Sequence, residues 1–202
     1  MPAVDTTKPQ ALGFLTVLEH SQHGLLGGYL VLNTAGRPLE FHCTAPIKPN
    51  RAQQILYGPT LEPYLFGEQM GRALVVKSAA EPLVICTDLR PAMAVRPLVE
   101  SPVALVLKDV QTTPPDTSLA SPATTHDTED CLRTPRLRLD AAHASGPLLQ
   151  VFQLGRNRLA VAQDREGDRS EILKRLAEFD DLFDLSEPFS RIREALDEAQ
   201  RR

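Results

Sequence analysis

Residues 25–46 read LLGGYLVLNTAGRPLEFHCTAP, and the fold turns on that stretch. Tyr29 to Leu32 is apolar and β-prone, and Asn33-Thr34-Ala35-Gly36-Arg37 is a turn in which Gly36 is free to adopt positive φ. Extended chain then resumes as Leu39 to Thr44. In this return strand Leu39, Phe41 and Cys43 point one way and Glu40, His42 and Thr44 the other, the period of a half-buried strand. The outgoing strand lacks that alternation. Its continuous apolar run predicts cover on both faces and a central place in the sheet. Gly27-Gly28 marks a bulge or a close backbone approach, and Pro38 is tolerated where its missing N–H faces outward.

Upstream, Leu12, Phe14, Thr16 and Leu18 alternate with Gly13, Leu15 and Val17, a strand over 12–18. Only Glu19 to Gly24 separates it from the hairpin, so three antiparallel strands, 12–18, 28–33 and 39–44, form the economical topology. Downstream, Asn50 with Gln53 makes a capping box for a helix over 50–57, whose apolar side is Ile55, Leu56 and Tyr57. A second helix spans 60–76, with Pro63 in its first turn and a kink or close contact expected at Gly67 and Gly71. Apolar strands follow at 82–87 and 103–107, with a brief pairing segment at Met93 to Arg96 between them.

From Gln111 to Pro135 threonine, serine, proline and aspartate dominate. That composition cannot bury enough surface to offset its ordering entropy, and it predicts a disordered linker over 111–135. The chain therefore reads as a 1–110 α+β unit, the linker, and a 136–202 part. The last part holds strands at Arg136 to Leu139, Leu148 to Leu154 and Leu159 to Ala162. Two amphipathic helices follow, one opened by Asp168 with Glu171, the other by Ser186 with Pro188 in its first turn. So few residues with so few aromatics are marginal alone, and they are expected to complete the core of the first unit. The predicted fold is α+β, a mostly antiparallel sheet of about six strands with helices packed on one side.

Composition bounds the function. With 202 residues and 42% hydrophobic content the chain can bury a real core, while 5% aromatics and no Trp leave that core to Leu, Val and Ala. A net charge of −4 disfavours a broad nucleic-acid surface and an anionic membrane. No apolar run approaches the ~20 residues of a membrane span, and the N-terminal residues lack an apolar leader core. Three widely spaced cysteines form no disulfide framework, and Cys43 and Cys86 read as reduced, buried thiols. The expected location is the cytoplasm.

Reactive residues come nearest one another at Glu19, His20, His23, His42 and Cys43. Zinc takes such ligands, but this spacing matches no metal pattern, and surface histidines beside a buried thiol explain it as well. Cys86 ends an apolar strand just before Asp88, a place for a nucleophile or an acid, though a core thiol is the commoner explanation and a turn aspartate is equally natural. Gly24 to Gly28 precedes a strand, so no helix N-terminus would face a phosphate. There is no P-loop, dinucleotide fingerprint, nucleophile elbow, zincin or kinase motif. Of the 26 acids, 12 lie from Asp164 onward, and Leu182, Phe183, Leu185 and Phe189 stand among them. Leu182, Phe183 and Phe189 are the candidate anchor for a partner protein. The expected function is a non-enzymatic cytoplasmic interaction or scaffold module with no cofactor, its partner another protein. The alternative is a metal- or cysteine-dependent enzyme built around His20, His23, His42, Cys43 and Cys86.

Overall fold

A computed structural model describes residues 10–107, 148–177 and 184–201. The fold is α+β, built on one seven-stranded sheet in the order β3-β2-β1-β4-β5-β7-β6. Its strands are β1 (Ala11–His20), β2 (Gly24–Asn33), β3 (Pro38–Cys43), β4 (Val84–Thr87), β5 (Val103–Leu107), β6 (Leu149–Leu154) and β7 (Asn157–Ala162). β1, β2 and β3 form the antiparallel meander, with Gly36 at φ 73° in the turn. β1, β4 and β5 run parallel, whereas β5-β7 and β7-β6 are antiparallel.

Among the described residues the sheet is therefore mixed and has seven strands, where a mostly antiparallel one of about six was expected. Two parallel neighbours need a crossover, not a turn. The crossover from β4 to β5 is a run of 3₁₀ turns over Arg90–Leu98, where Pro91 and Pro97 discourage a regular α-helix. Met93 to Arg96, expected to pair locally, lies inside those turns.

Helices cover both faces of the sheet, not one. On one face α3 (Glu166–Arg175), Leu176 just after it and α4 (Glu187–Gln200) bring Ile172, Leu176, Phe189, Ile192 and Leu196 onto Leu12, Phe14, Leu30, Cys86, Val106 and Leu159. On the other, the 3₁₀ crossover and α2 (Arg72–Lys77) set Met93, Val95 and Leu74 against Leu15, Tyr29, Val31, Ile85 and Leu105. The alternation in β1 thus separates two buried faces. Leu12 and Phe14 belong to the first cluster, Ala11 and Leu15 to the second. β2 is buried along nearly its whole length, as its unbroken apolar run predicted, but it lies next to the edge strand; β4 is central.

Two glycines admit close contacts. A Cβ on Gly28 would lie 2.4 Å from the Ile192 side chain of α4 and one on Gly27 3.0 Å from the Leu74 side chain of α2, so the glycine pair in β2 serves close packing on the two faces and not a bulge. A Cβ on Gly67 would lie 2.7 Å from the Ala94 backbone, which seats the helix over Pro63–Gly71 on the crossover; that stretch is wound as a π-helix. Asp168 does not cap a helix. It lies inside α3, 5% exposed, and receives Arg96 from the crossover. The 111–135 segment and the strand expected at Arg136 to Leu139 lie outside the described residues. Among those residues no helix is long and apolar enough to cross a membrane.

Candidate interaction site

Helix α1 (Arg51–Tyr57) contributes no residue to either core cluster. Seven residues are too few for a helix to persist on backbone bonding alone, and its ends supply the remainder. Asn50 Oδ1 accepts the Gln53 N–H at 2.8 Å while Gln53 Oε1 accepts the Asn50 N–H at 3.0 Å, a complete capping box. At the other end Gly58 donates its N–H to Gln54 O, and the Thr60 hydroxyl donates to Tyr57 O at 2.8 Å. The Tyr57 ring stacks on Tyr64 with centroids 4.6 Å apart. With the helix so held, no residue of α1 is buried. Ile55 is 66% exposed and Leu56 81%. With Tyr57 these two are the apolar side of the helix, and that side faces solvent.

A concavity of about 320 Å³ opens at the C-terminal end of β5, between the start of β7 and the start of α4. In open sheets with parallel strands, ligands collect at that end. Arg156, Arg158, Arg193, Asp184, Ser186 and Ser190 line it. Much of this chemistry is engaged within the fold. Arg193 donates to Asp88 Oδ2, and the Thr16 hydroxyl donates to Asp88 Oδ1 at 2.7 Å. Asp184 Oδ1 accepts the Ser186 hydroxyl at 2.6 Å and the Ser186 N–H at 2.9 Å. Those bonds, assisted by Arg156, hold the Asp184 carboxyl below the usual carboxylate range.

The residues singled out from the sequence do not converge. Strand β2 separates β1 from β3, and His42 pairs with Tyr29, which in turn faces Leu15. His20 is therefore five positions further along, roughly 17 Å at ~3.3 Å per residue. The His20 and His23 rings lie 4.7 Å apart, and His20 Nδ1 accepts the N–H groups of Gln22 and His23. His42 Nε2 meets Glu40 Oε2 at 2.9 Å, and Glu40 also accepts from Ser78, Ala79 and Ala80. The His42 bond leads in holding the Glu40 carboxyl below its ordinary range. Among the described residues no group of three His, Cys, Asp or Glu could hold a metal ion.

Cys43 is exposed, contrary to the expectation of a buried thiol, and it lies on β3 at the edge of the sheet. Cys86 is fully buried, and burial alone pushes its thiol up to about 12, which suits a core residue and not a nucleophile. A thiol reagent at pH 8 will therefore label Cys43 in the native protein, leaving Cys86 unlabelled until denaturant is added. Peptide mapping checks this, and equal native rates would refute the burial. The Asp88 side chain is 4% exposed and tied to Thr16 and Arg193, so it joins β4 to β1 and α4. Phe189, one of the candidate anchors, is 1% exposed and meets Phe14 edge to face at 5.7 Å. Leu185 is likewise buried, and its N–H donates to Asn157 Oδ1 at 3.0 Å. Leu182 and Phe183 lie outside the described residues.

No protein-family model matches the chain, and no curated protein matches it. Single exposed apolar residues such as Val76 and Val151 are ordinary. Two adjacent ones on a helix that is capped at both ends, and that buries none of its own residues, are not ordinary. Sequence periodicity had no means of finding this, since a helix face turned to solvent has the same spacing as one turned to the core.

Proposed function

We propose that this protein is a non-catalytic cytoplasmic module that works by binding another protein, with α1 as the contact element. The observation that carries the proposal is that α1 keeps its helical geometry through caps and a tyrosine stack while exposing Ile55 and Leu56. The fold gains nothing from those two side chains. Burying both in a partner's groove is worth roughly 3–6 kcal/mol before the costs of association. A helix already formed in the free protein loses little further entropy on docking. The negative net charge favours a protein partner over nucleic acid or an anionic membrane.

The test is the double substitution Ile55→Ser with Leu56→Ser. The melting temperature will stay within about 2 °C of the parent, because surface changes of this kind cost little. A partner captured by cross-linking to the parent, then purified and titrated, will bind the variant at least tenfold more weakly, a difference of about 1.4 kcal/mol. Unchanged affinity would refute the assignment. A large drop in melting temperature would show that the two side chains belong to the core.

A further inference from the structure

Strand β3 closes one edge of the sheet, and β2 is its strand neighbour in the described residues. Thr44 donates its N–H to Gly27 O at 3.0 Å, which sets the alternation along the strand. Glu40 and His42 therefore bond toward β2, while Phe41 and Cys43 direct N–H and C=O away from the sheet. Phe41 is 39% exposed and Leu39 44%. The register shift at Val31/Leu32 leaves Leu39 as the extra residue of a bulge, and Pro38 precedes it. Both features stop strand addition at that end. The stretch open to pairing is short, 39–43, and it reads apolar, acidic, aromatic, basic, apolar.

That order is its own complement when read backwards. If two copies meet antiparallel about a two-fold axis at Phe41, Phe41 faces Phe41, Glu40 faces His42, and Leu39 faces Cys43. The hydrogen-bonding parity agrees, since Phe41 is the residue whose N–H and C=O point outward. Side-chain parity agrees as well. Glu40 and His42 lie on the α2 side of the sheet, near Ser78, whereas Phe41 and Cys43 lie on the α4 side. A one-residue slip would set Glu40 against the second Phe41 and turn the outward amides away from one another.

We infer that β3 pairs with β3 of a second copy, centred on Phe41, joining two sheets into one continuous sheet. The paired segment is short and buries less than a standard interface, so the dimer is weak, with Kd on the order of 10–100 μM. This inference is independent of α1.

Sedimentation equilibrium of the full chain tests it. Between 10 and 500 μM the weight-average mass of the parent will rise from 22.2 kDa toward twice that value. Phe41→Lys and Phe41→Glu, each alone, will remain monomeric, because like charges then meet on the axis. An equimolar mixture of the two will regain the dimer. A parent monomeric at 500 μM overturns the inference, as does a dimer that survives both substitutions or a mixture that stays monomeric. Should either variant misfold, Leu39→Cys settles the register under mild oxidation. Positions 39 and 43 lie ~13 Å apart on one strand, beyond disulfide reach, so a disulfide from position 39 to Cys43 can form only between copies. Finding that link supports the pairing, and its absence refutes it.

Discussion

Replacing Arg96 with alanine will destabilise the protein by about 3–5 kcal/mol, measured as a lower urea midpoint at unchanged slope. Arg96 lies in the crossover between β4 and β5, and Asp168 lies in α3, 72 positions later. Their side chains are 14% and 6% exposed. The guanidinium meets the carboxylate with two parallel hydrogen bonds, the Nη2–Oδ1 one at 2.8 Å, and its Nη1 donates to Val99 O at 3.0 Å. The hydrogen bond to Asp168 holds the arginine in its charged form. Removing Arg96 strands a carboxylate where water barely reaches it, and that desolvation dominates the loss. Two further variants isolate the cause. Arg96→Met combined with Asp168→Leu will recover most of the stability, since neither charge is then left alone. Arg201→Ala, which breaks a 3.9 Å exposed pair with Glu198, will change it by less than about 0.5 kcal/mol. A small effect at Arg96 would mean that solvent enters the site.

Phe189→Ser will lower stability by about 3–5 kcal/mol, on the order of 10–15 °C in melting temperature for a chain of this length. The ring contacts Phe14 at an interplanar angle of 76° and lies in the cluster that α4 forms with the sheet. Serine there leaves a cavity and a hydroxyl without a clear partner. The same substitution discriminates between two readings of the residue. A partner anchor would lose binding and keep its melting temperature; a core residue loses stability first. Thermal unfolding of the purified variant decides between them, and an unchanged midpoint would contradict the packing described here.

Ile55 and Leu56 are as apolar as Phe189, yet their removal is expected to leave the fold intact. Apolar residues that the fold does not need, on a helix that caps itself, are what direct attention to α1.

The legible parts of the architecture were local. The turn at Asn33 to Gly36, the alternation of Leu12 and Phe14 against Leu15, the box of Asn50 with Gln53, and Pro188 in the first turn of α4 all follow from interactions within a few residues. The β2 run was also informative, because a strand apolar on every residue requires cover on both faces. That requirement already implied helices on both sides of the sheet, which the expectation of one-sided packing overlooked. The candidate surface was not legible. Ile55 and Leu56 carry the same spacing whether α1 docks or projects, and Phe189 has the composition of an anchor whether it is exposed or enclosed.

By itself, then, the amino-acid order determined which short segments extend, turn or coil, because those preferences arise from sterics, hydrogen-bond competition and side-chain period inside single elements. Tertiary structure alone decided that β1, β4 and β5 run parallel, that Arg96 finds Asp168, that His20 and His42 stay apart, and which apolar side chains remain in water. Each of those depends on contacts between residues tens of positions apart. Their partners are selected by the packing of the whole sheet, and no local pattern encodes that selection.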